Sequence, residues 1–251
     1  MKIIIKKPEE IKLMRESGRI LATIFQELAT FVKPGMSTKD VDQYAETLTR
    51  KFNVKPAFKG YQGFPGVICA SVNENVVHSI PTKDRILKDG DIFTIDCGVI
   101  YKGWYSDSAI TLLIGDVDPK VKEFVSVVKK ALYMAIEKVK PGLPINIIGE
   151  TIQKYVEGKH GYSIVKELTG HGIGRQLHED PFVFNFADKG NSPIMKEGMT
   201  IAIEPIANMG SGKIKTLRDK WTVISADKSM SCQWEHTIAI TKNGAEILTQ
   251  L

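Results

Sequence analysis

Asp96 closes the β-branched and aromatic run Ile92-Phe93-Thr94-Ile95, and Asp107 lies within an alternating stretch from Trp104 to Ile114, with Lys102-Gly103 between them as turn chemistry. The segment reads as a hairpin with one aspartate on each arm. A loop centred on Tyr101-Lys102 places the two opposite each other, and one centred on Lys102-Gly103 makes them diagonal neighbours on one face; a three-residue loop splits them between faces. Like charges so placed repel, and burying either without a partner is costly. For one hairpin alone, two solvated carboxylates are the simpler reading. Two further carboxylates shift it. Glu204 ends Thr200-Ile201-Ala202-Ile203, where Pro205 stops pairing, and Glu235 sits in "CQWEHTIAIT", on a face with Thr237 and Ala239 and opposite His236, Ile238 and Ile240. Four uncompensated charges in one core are not tolerable, and divalent cations would balance them.

The histidines extend the set. "TGHGIGRQLHED" places His171 and His178 among Gly170, Gly172 and Gly174, glycines that permit close backbone approach or positive φ. The strings "HSIP" and "HEDP" make His78 and His178 look like counterparts, whereas His160, in a turn beside Gly161, and His236, facing away from Glu235, read as structural. Two Asp, two Glu and one His suit a pair of divalent ions such as Mn, Fe(II), Co or Zn; they do not suit all-thiolate zinc or a copper electron-transfer site. Two such ions about 3.5–4 Å apart share a water, lower its pKa and polarise a carbonyl, so hydrolysis is the natural chemistry. Cys69, Cys97 and Cys232 are scattered and odd in number, and read as small buried apolar residues rather than a disulfide frame.

These side chains come from strand ends in two parts of the chain, and the elements around them repeat. Met14, Gly18, Leu21, Phe25, Leu28 and Val32 form a helical stripe that stops at Lys33-Pro34-Gly35; Val121, Val125, Val128, Leu132, Ala135 and Val139 repeat it and stop at Lys140-Pro141-Gly142. A second helix follows each stop, with Val41, Ala45 and Leu48 answered by Ile148, Ile152 and Tyr155, and with Ser37 or Thr38 as a cap for the first. Then "LKDGDIFTID" at 87–96 is answered by "MKEGMTIAIE" at 195–204, which aligns Asp96 with Glu204. The expectation is one α+β domain over residues 1–251, with similar halves at about 9–115 and 116–251, their antiparallel sheets joined and covered by helices.

The 251 residues are 43% hydrophobic and 25% charged, ordinary for a globular protein, and no apolar run approaches membrane-spanning length. "MKIIIKKPEE" is too short in apolar residues to be a signal-peptide core, so a cytoplasmic protein is expected; a monomer is expected as well. A net charge of +5 permits an anionic partner, but no basic run marks a specific nucleic-acid face.

The motifs "TIDCG", "SDSA", "TGHGIGR", "AIEP" and "WEHTIAIT", with Asp96, Asp107, His171, Glu204 and Glu235, closely resemble the five-ligand signature of type I methionine aminopeptidases, over nearly the whole chain. With no zinc-finger extension and no long insertion between His171 and Glu204, the resemblance is to the compact bacterial form. It implies the pita-bread fold and removal of initiator methionine from nascent polypeptides, with small second residues favoured and the ribosome as a partner the basic charge permits. It implies further that Asp96 and Asp107 hold one ion, His171 and Glu204 the other, and that Asp107 and Glu235 bridge. Glu204 would also be the general base, His178 would bond the substrate carbonyl, and His78 the scissile amide or the residue after it. Tyr61, Phe64, Cys69, Leu177 and Trp221 would line the methionine pocket, with Phe58 nearby. Phe64, Leu177 and Phe58 depart from the pattern, where a tyrosine, a phenylalanine and a smaller residue are common; this bears on pocket shape, not on the reaction. The rivals are an Xaa-Pro aminopeptidase of the same fold, which usually has an additional N-terminal domain, and a non-catalytic pita-bread module binding ribosomes or RNA, as arises when ligands are lost.

Overall fold

Pro8 opens the first helix, α1 (Pro8–Phe31), where its missing N–H and fixed φ cost nothing. The Glu10 carboxylate accepts the Lys7 N–H at 2.9 Å, and Glu9 and Glu10 favour the positive end of the helix dipole. Met14, Gly18, Leu21, Phe25 and Leu28 of the expected stripe are buried. Val32 is the residue that leaves the helix. In a computed structural model that describes residues 2–188, 190 and 192–251, three more helices follow: α2 (Thr38–Lys51), α3 (Pro119–Ile136) and α4 (Asn146–Gln153). Ser37 caps α2, accepting the Asp40 N–H at 3.2 Å while Asp40 accepts the Ser37 N–H at 2.9 Å. α4 runs into a π-helical turn, Lys154–Lys159, so Tyr155 lies beyond the helix that Ile148 and Ile152 anchor.

The repeat extends to individual hydrogen bonds. Gly35, at φ 89°, donates to Leu87 O at 2.8 Å, and Gly142, at φ 87°, donates to Met195 O at 2.9 Å. Leu87 N returns a bond to Met36 O, and Met195 N returns one to Leu143 O, both at 2.8 Å. Each half thus ties its helix–helix turn to the start of its strand region.

Nine antiparallel strands form the main sheet, whose central path runs Lys55–Pro56, Ile92–Tyr101, Trp104–Leu113, Glu235–Thr241, Thr200–Ile203, Gly170–Gly172, Glu179–Val183. Cys69–Val72 adds beside Ile92–Tyr101, and Gly244–Ile247 beside Glu235–Thr241. The halves join where Glu235 and His236 pair with Ala109 and Ser108. Helix α1 packs on the hairpin Ile92–Leu113, and α3 on Thr200–Ile203 and Ser231–Gln233. Each half therefore has its own apolar core, one around Leu21, Ile24, Leu28 and Phe93, the other around Val128, Leu132, Ile148 and Ile201. Burying each such side chain contributes about 1.5–3 kcal/mol relative to leaving it in water. A third cluster includes Phe58, Phe64, Cys69, Trp104 and Leu177, and of these Phe58, Phe64, Cys69 and Leu177 line the cavity described next.

Pro205 ends pairing in the main sheet as expected, but pairing resumes directly in a second one: Ile206–Asn208 lies between Ser163–Ile164 and Ser231–Gln233. Proline removes only its own N–H, and a change of sheet at that residue leaves no ladder position unfilled.

Candidate metal centre

Tyr101 pairs with Trp104, so the hairpin closes on Lys102-Gly103, whose positive φ values, 48° and 79°, fit the tight turn that right-twisted strands require. Of the three registers open to the sequence this is the second. Asp96 lies opposite Ala109 and Asp107 opposite Gly98, making the aspartates diagonal neighbours on one face. Ala109 also lies opposite Glu235, and Ile203 opposite His236, so the row Asp96, Ala109, Glu235 continues toward Glu204 on the next strand. His171 enters from the strand beyond. Its Nε2 is 3.6 Å from Glu204 Oε1 and 3.9 Å from Asp107 Oδ2, and ligating atoms of Asp107, His171 and Glu235 all lie within 4.8 Å of one another.

The cluster is buried: Asp96 is 8% exposed, Asp107 4%, His171 6% and Glu235 2%. Burial raises the carboxyl pKa values of Asp96, Glu204 and Glu235 well above the usual range, and the neighbouring carboxylates raise them further. Asp107 rises to about 7 through burial, opposed by the Ser108 N–H. His171 falls to about 3, chiefly through burial and secondly through His178. The ring is therefore neutral at physiological pH. Its Nδ1 lies 2.9 Å from Gly172 O, which assigns the proton there and leaves the Nε2 lone pair facing the carboxylates. Asp96 Oδ1 and Glu235 Oε1 are buried with no hydrogen-bond partner among the described residues. Four crowded carboxylates, two of them with orphaned oxygens, and a neutral imidazole aimed among them are a donor set that divalent cations fit.

The cluster forms one wall of a cavity of about 670 Å³, and every expected substrate residue lines the rest: Phe58, Tyr61, Phe64, Cys69, His78, Leu177, His178 and Trp221. Phe64 meets Trp221 edge-on, with ring centroids 5.2 Å apart. Cys69 pairs with Asp96 in the sheet, and burial together with the charges of Asp96 and Asp107 pushes its thiol pKa up, so it presents a neutral, apolar surface. Tyr61 Oη lies 2.8 Å from His178 Nδ1, and the His178 ring stands on that of His171 with centroids 4.4 Å apart. His78 sits at the rim with φ 56°. His160 and His236 lie outside the cavity: His160 packs against Tyr155, and His236 bonds Thr249 and Tyr133.

Residues 12–242 match the family described as metallopeptidase family M24. The chain belongs to this family. Among M24 relatives, methionine aminopeptidase 1 of Bacillus subtilis is 46% identical over 249 residues, spanning 99% of this chain and 100% of the relative. The Escherichia coli K12 methionine aminopeptidase is 41% identical over 250 residues, spanning 99% and 94%. The crystal structure of methionine aminopeptidase from Thermotoga maritima superposes with a TM-score of 0.97 at 40% identity, covering 100% of both chains. Prolidase from Pyrococcus furiosus superposes with a TM-score of 0.79 at 25% identity, covering 99% of this chain but 66% of the prolidase. The M24 fold is therefore the expected pita-bread arrangement.

Several further residues lie on this M24 cavity. Gln233 is 2% exposed, lines the cavity and donates from Nε2 to Glu204 Oε2 at 3.4 Å. Its signal was present, because alternation puts it on the face of Glu235 and Thr237. Lys2, Ile4 and Phe182 also line the cavity, from segments with no periodicity to mark them. Among the described residues, no helix is long and apolar enough to cross a membrane.

Proposed function

We propose that this chain is a cytoplasmic metallo-aminopeptidase that removes the initiator methionine from nascent polypeptides by hydrolysing the first peptide bond, favouring small second residues. The observation that carries the reading is the direct abutment of an apolar, sulfur-tolerant pocket on a cluster of one histidine and four carboxylates, all but Glu204 buried. Divalent ions such as Mn, Fe(II), Co or Zn, when bound, acidify water and polarise a carbonyl. Asp96 and Asp107 would hold one ion and His171 and Glu204 the other, with Asp107 and Glu235 shared between them.

The chain's own residues divide the remaining work. Phe64, Cys69, Leu177 and Trp221 take the thioether side chain, fixing the amino terminus against the cluster. Glu204, at the open edge of the cluster with its side chain 12% exposed, takes a proton from the attacking water and delivers it to the departing amine. With Tyr61 Oη 2.8 Å from His178 Nδ1 as the donor, the His178 proton would sit on Nε2 and could bond the substrate carbonyl oxygen as negative charge develops there. His78, at the rim, meets the scissile amide or the residue after it.

The structural likeness to prolidase makes Xaa-Pro hydrolysis the reading to test against. Protein supplied with Mn should cleave Met-Ala-Ser and leave Ala-Pro-Ser intact. The reverse would select the proline-specific reading. Failure to bind any divalent ion would select a non-catalytic module.

A further inference from the structure

Lys6 is 3% exposed, and almost all of its side chain is inside the protein, as is that of Glu179. Lys6 Nζ bonds Glu179 Oε2 at 2.5 Å and Ile4 O at 3.2 Å, while the Lys6 N–H donates to Gly198 O at 2.7 Å. The other oxygen of Glu179 accepts two consecutive backbone N–H groups, from Arg175 at 2.8 Å and Gln176 at 3.2 Å. One carboxylate therefore templates the turn that joins the strand carrying His171 to the strand that begins at Glu179. Leu177 and His178 stand at the end of that turn, both on the cavity. The fit is close: a Cβ on Gly174 would collide with Lys6 Cε and lie 2.9 Å from Glu179 Oε1. On its far side the turn is held by the first half, through Tyr105 N to Gly174 O at 2.9 Å and through the Arg175 guanidinium 4.0 Å above the Trp104 ring.

A buried ion pair adds little net stability, because desolvation offsets its attraction, so stability alone does not account for its presence here. We propose that Lys6 and Glu179 are positioning residues for the reaction: their ion pair locks the N-terminal segment to the turn at Gly174–Gln176 and so sets where His178 and Leu177 stand in the cavity. The proposal rests on the aminopeptidase reading above. Lys6 lies off the cavity, and Glu179, although it lines the cavity, has one carboxylate oxygen on Lys6 and the other on the Arg175 and Gln176 N–H groups. Their influence passes through the turn to the His178 ring, which Tyr61 holds from the other side.

The test uses the full chain with Lys6→Met, Glu179→Gln and the double variant, each assayed on Met-Ala-Ser with Mn, with thermal unfolding and the His178 ring Cε1–H resonance of metal-free protein recorded alongside. Lys6→Met strands a buried carboxylate and should lower the unfolding temperature. The double variant removes both charges and keeps an acceptor for the turn amides, so it should recover most of that loss. Its kcat should nevertheless stay at least fivefold below wild type with KM within threefold, and its His178 resonance should remain displaced. A double variant with wild-type kcat and an unmoved resonance would reduce the pair to a structural role and overturn the proposal. If wild type itself leaves Met-Ala-Ser intact, the aminopeptidase reading has failed, and the resonance alone decides: displaced in the double variant it supports the positioning claim, unmoved it overturns it.

Discussion

The two halves share a backbone frame but differ in how they fill it. Ile95 lies opposite Ile110 in the first half, and Ile203 opposite His236 in the second. Stepping along from those pairs, Asp96 matches Glu204, Asp107 matches Gln233, and Ala109 matches Glu235. The crossing strands agree as well: Val72 opposite Phe93 matches Gly172 opposite Ile201, which sets Ser71 against His171 and His78 against His178. The first half joins its two acidic arms by a two-residue turn, whereas the second runs from Pro205 to Trp234 between them and brings Ile206, Trp221 and Gln233 to the cavity on the way. Equivalent positions thus carry inequivalent chemistry. The first half offers a buried acidic ledge, and the second offers a histidine, a more exposed glutamate and part of the substrate wall.

The pair Asp96 and Glu204 should show this most strongly. Both are proposed ligands, but only Glu204 is the proposed base. Glu204→Ala should lower kcat by roughly a thousandfold or more, and added Mn should not restore it. Asp96→Asn should weaken metal binding and recover much of its activity in excess Mn. Equal, metal-rescuable losses in both would erase the distinction between ledge and base.

Next in size is the histidine pair. His178 has a Tyr61 partner on Nδ1 and contacts His171, while among the described residues no hydrogen bond holds the side chain of the rim residue His78. Steady-state kinetics on Met-Ala-Ser should show His178→Ala lowering kcat about a hundredfold with a small change in KM, and His78→Ala losing less. The opposite ranking would exchange the proposed roles.

A pH experiment tests the crowding itself. Carboxyl groups whose pKa is raised on folding stabilise the fold at low pH and lose that contribution as pH rises through the folded pKa, because the folded state is then the better proton binder. Histidines lowered on folding do the reverse: with His171 at about 3 and His236 at about 4, stability rises with pH up to their unfolded value near 6.5 and does not change further above it. Between pH 7 and 8, below the range where the unfolded thiols of the buried Cys69, Cys97 and Cys232 ionise and add their own loss, the carboxylates dominate, with Asp107 titrating near 7 and Asp96, Glu204 and Glu235 raised also. The unfolding temperature of metal-free protein should fall across that window, and Mn should reverse the fall, with its affinity rising with pH as protons are displaced. A flat profile would mean that the four carboxylates are not crowded.

Much of this frame was legible in the residues because each piece has a local cause. The helical stripes, the stop signals at Gly35 and Gly142 and the apolar strands ending in Asp96 and Glu204 are patterns that burial and turn geometry write into short windows. The five cluster residues and the eight expected substrate residues all reach one cavity, the latter placed there beforehand only through the family resemblance. The hairpin register stayed open, since nothing short of the pairing itself chooses among three loops. Gln233 escaped because an amide does not titrate, and Lys6 and Glu179 because a contact across 173 residues leaves no periodic mark. The short strand Gly170–Gly172 was invisible for a similar reason: three residues cannot show alternation.

The smallest effect tests the shared frame rather than the divergent chemistry. Gly35 and Gly142 hold left-handed conformations with nothing within 4 Å of the place a Cβ would occupy, so an alanine at either meets strain but no clash. Gly35→Ala and Gly142→Ala should therefore each cost about 1–2 kcal/mol of unfolding free energy, equal within error, with kcat unchanged. If denaturant unfolding showed one costing several times the other, the halves would differ even in the hydrogen bonds that tie Gly35 to Leu87 and Gly142 to Met195. Equal costs at these glycines beside unequal costs at Asp96 and Glu204 would place the divergence of the halves in their side chains, on a backbone that stayed the same.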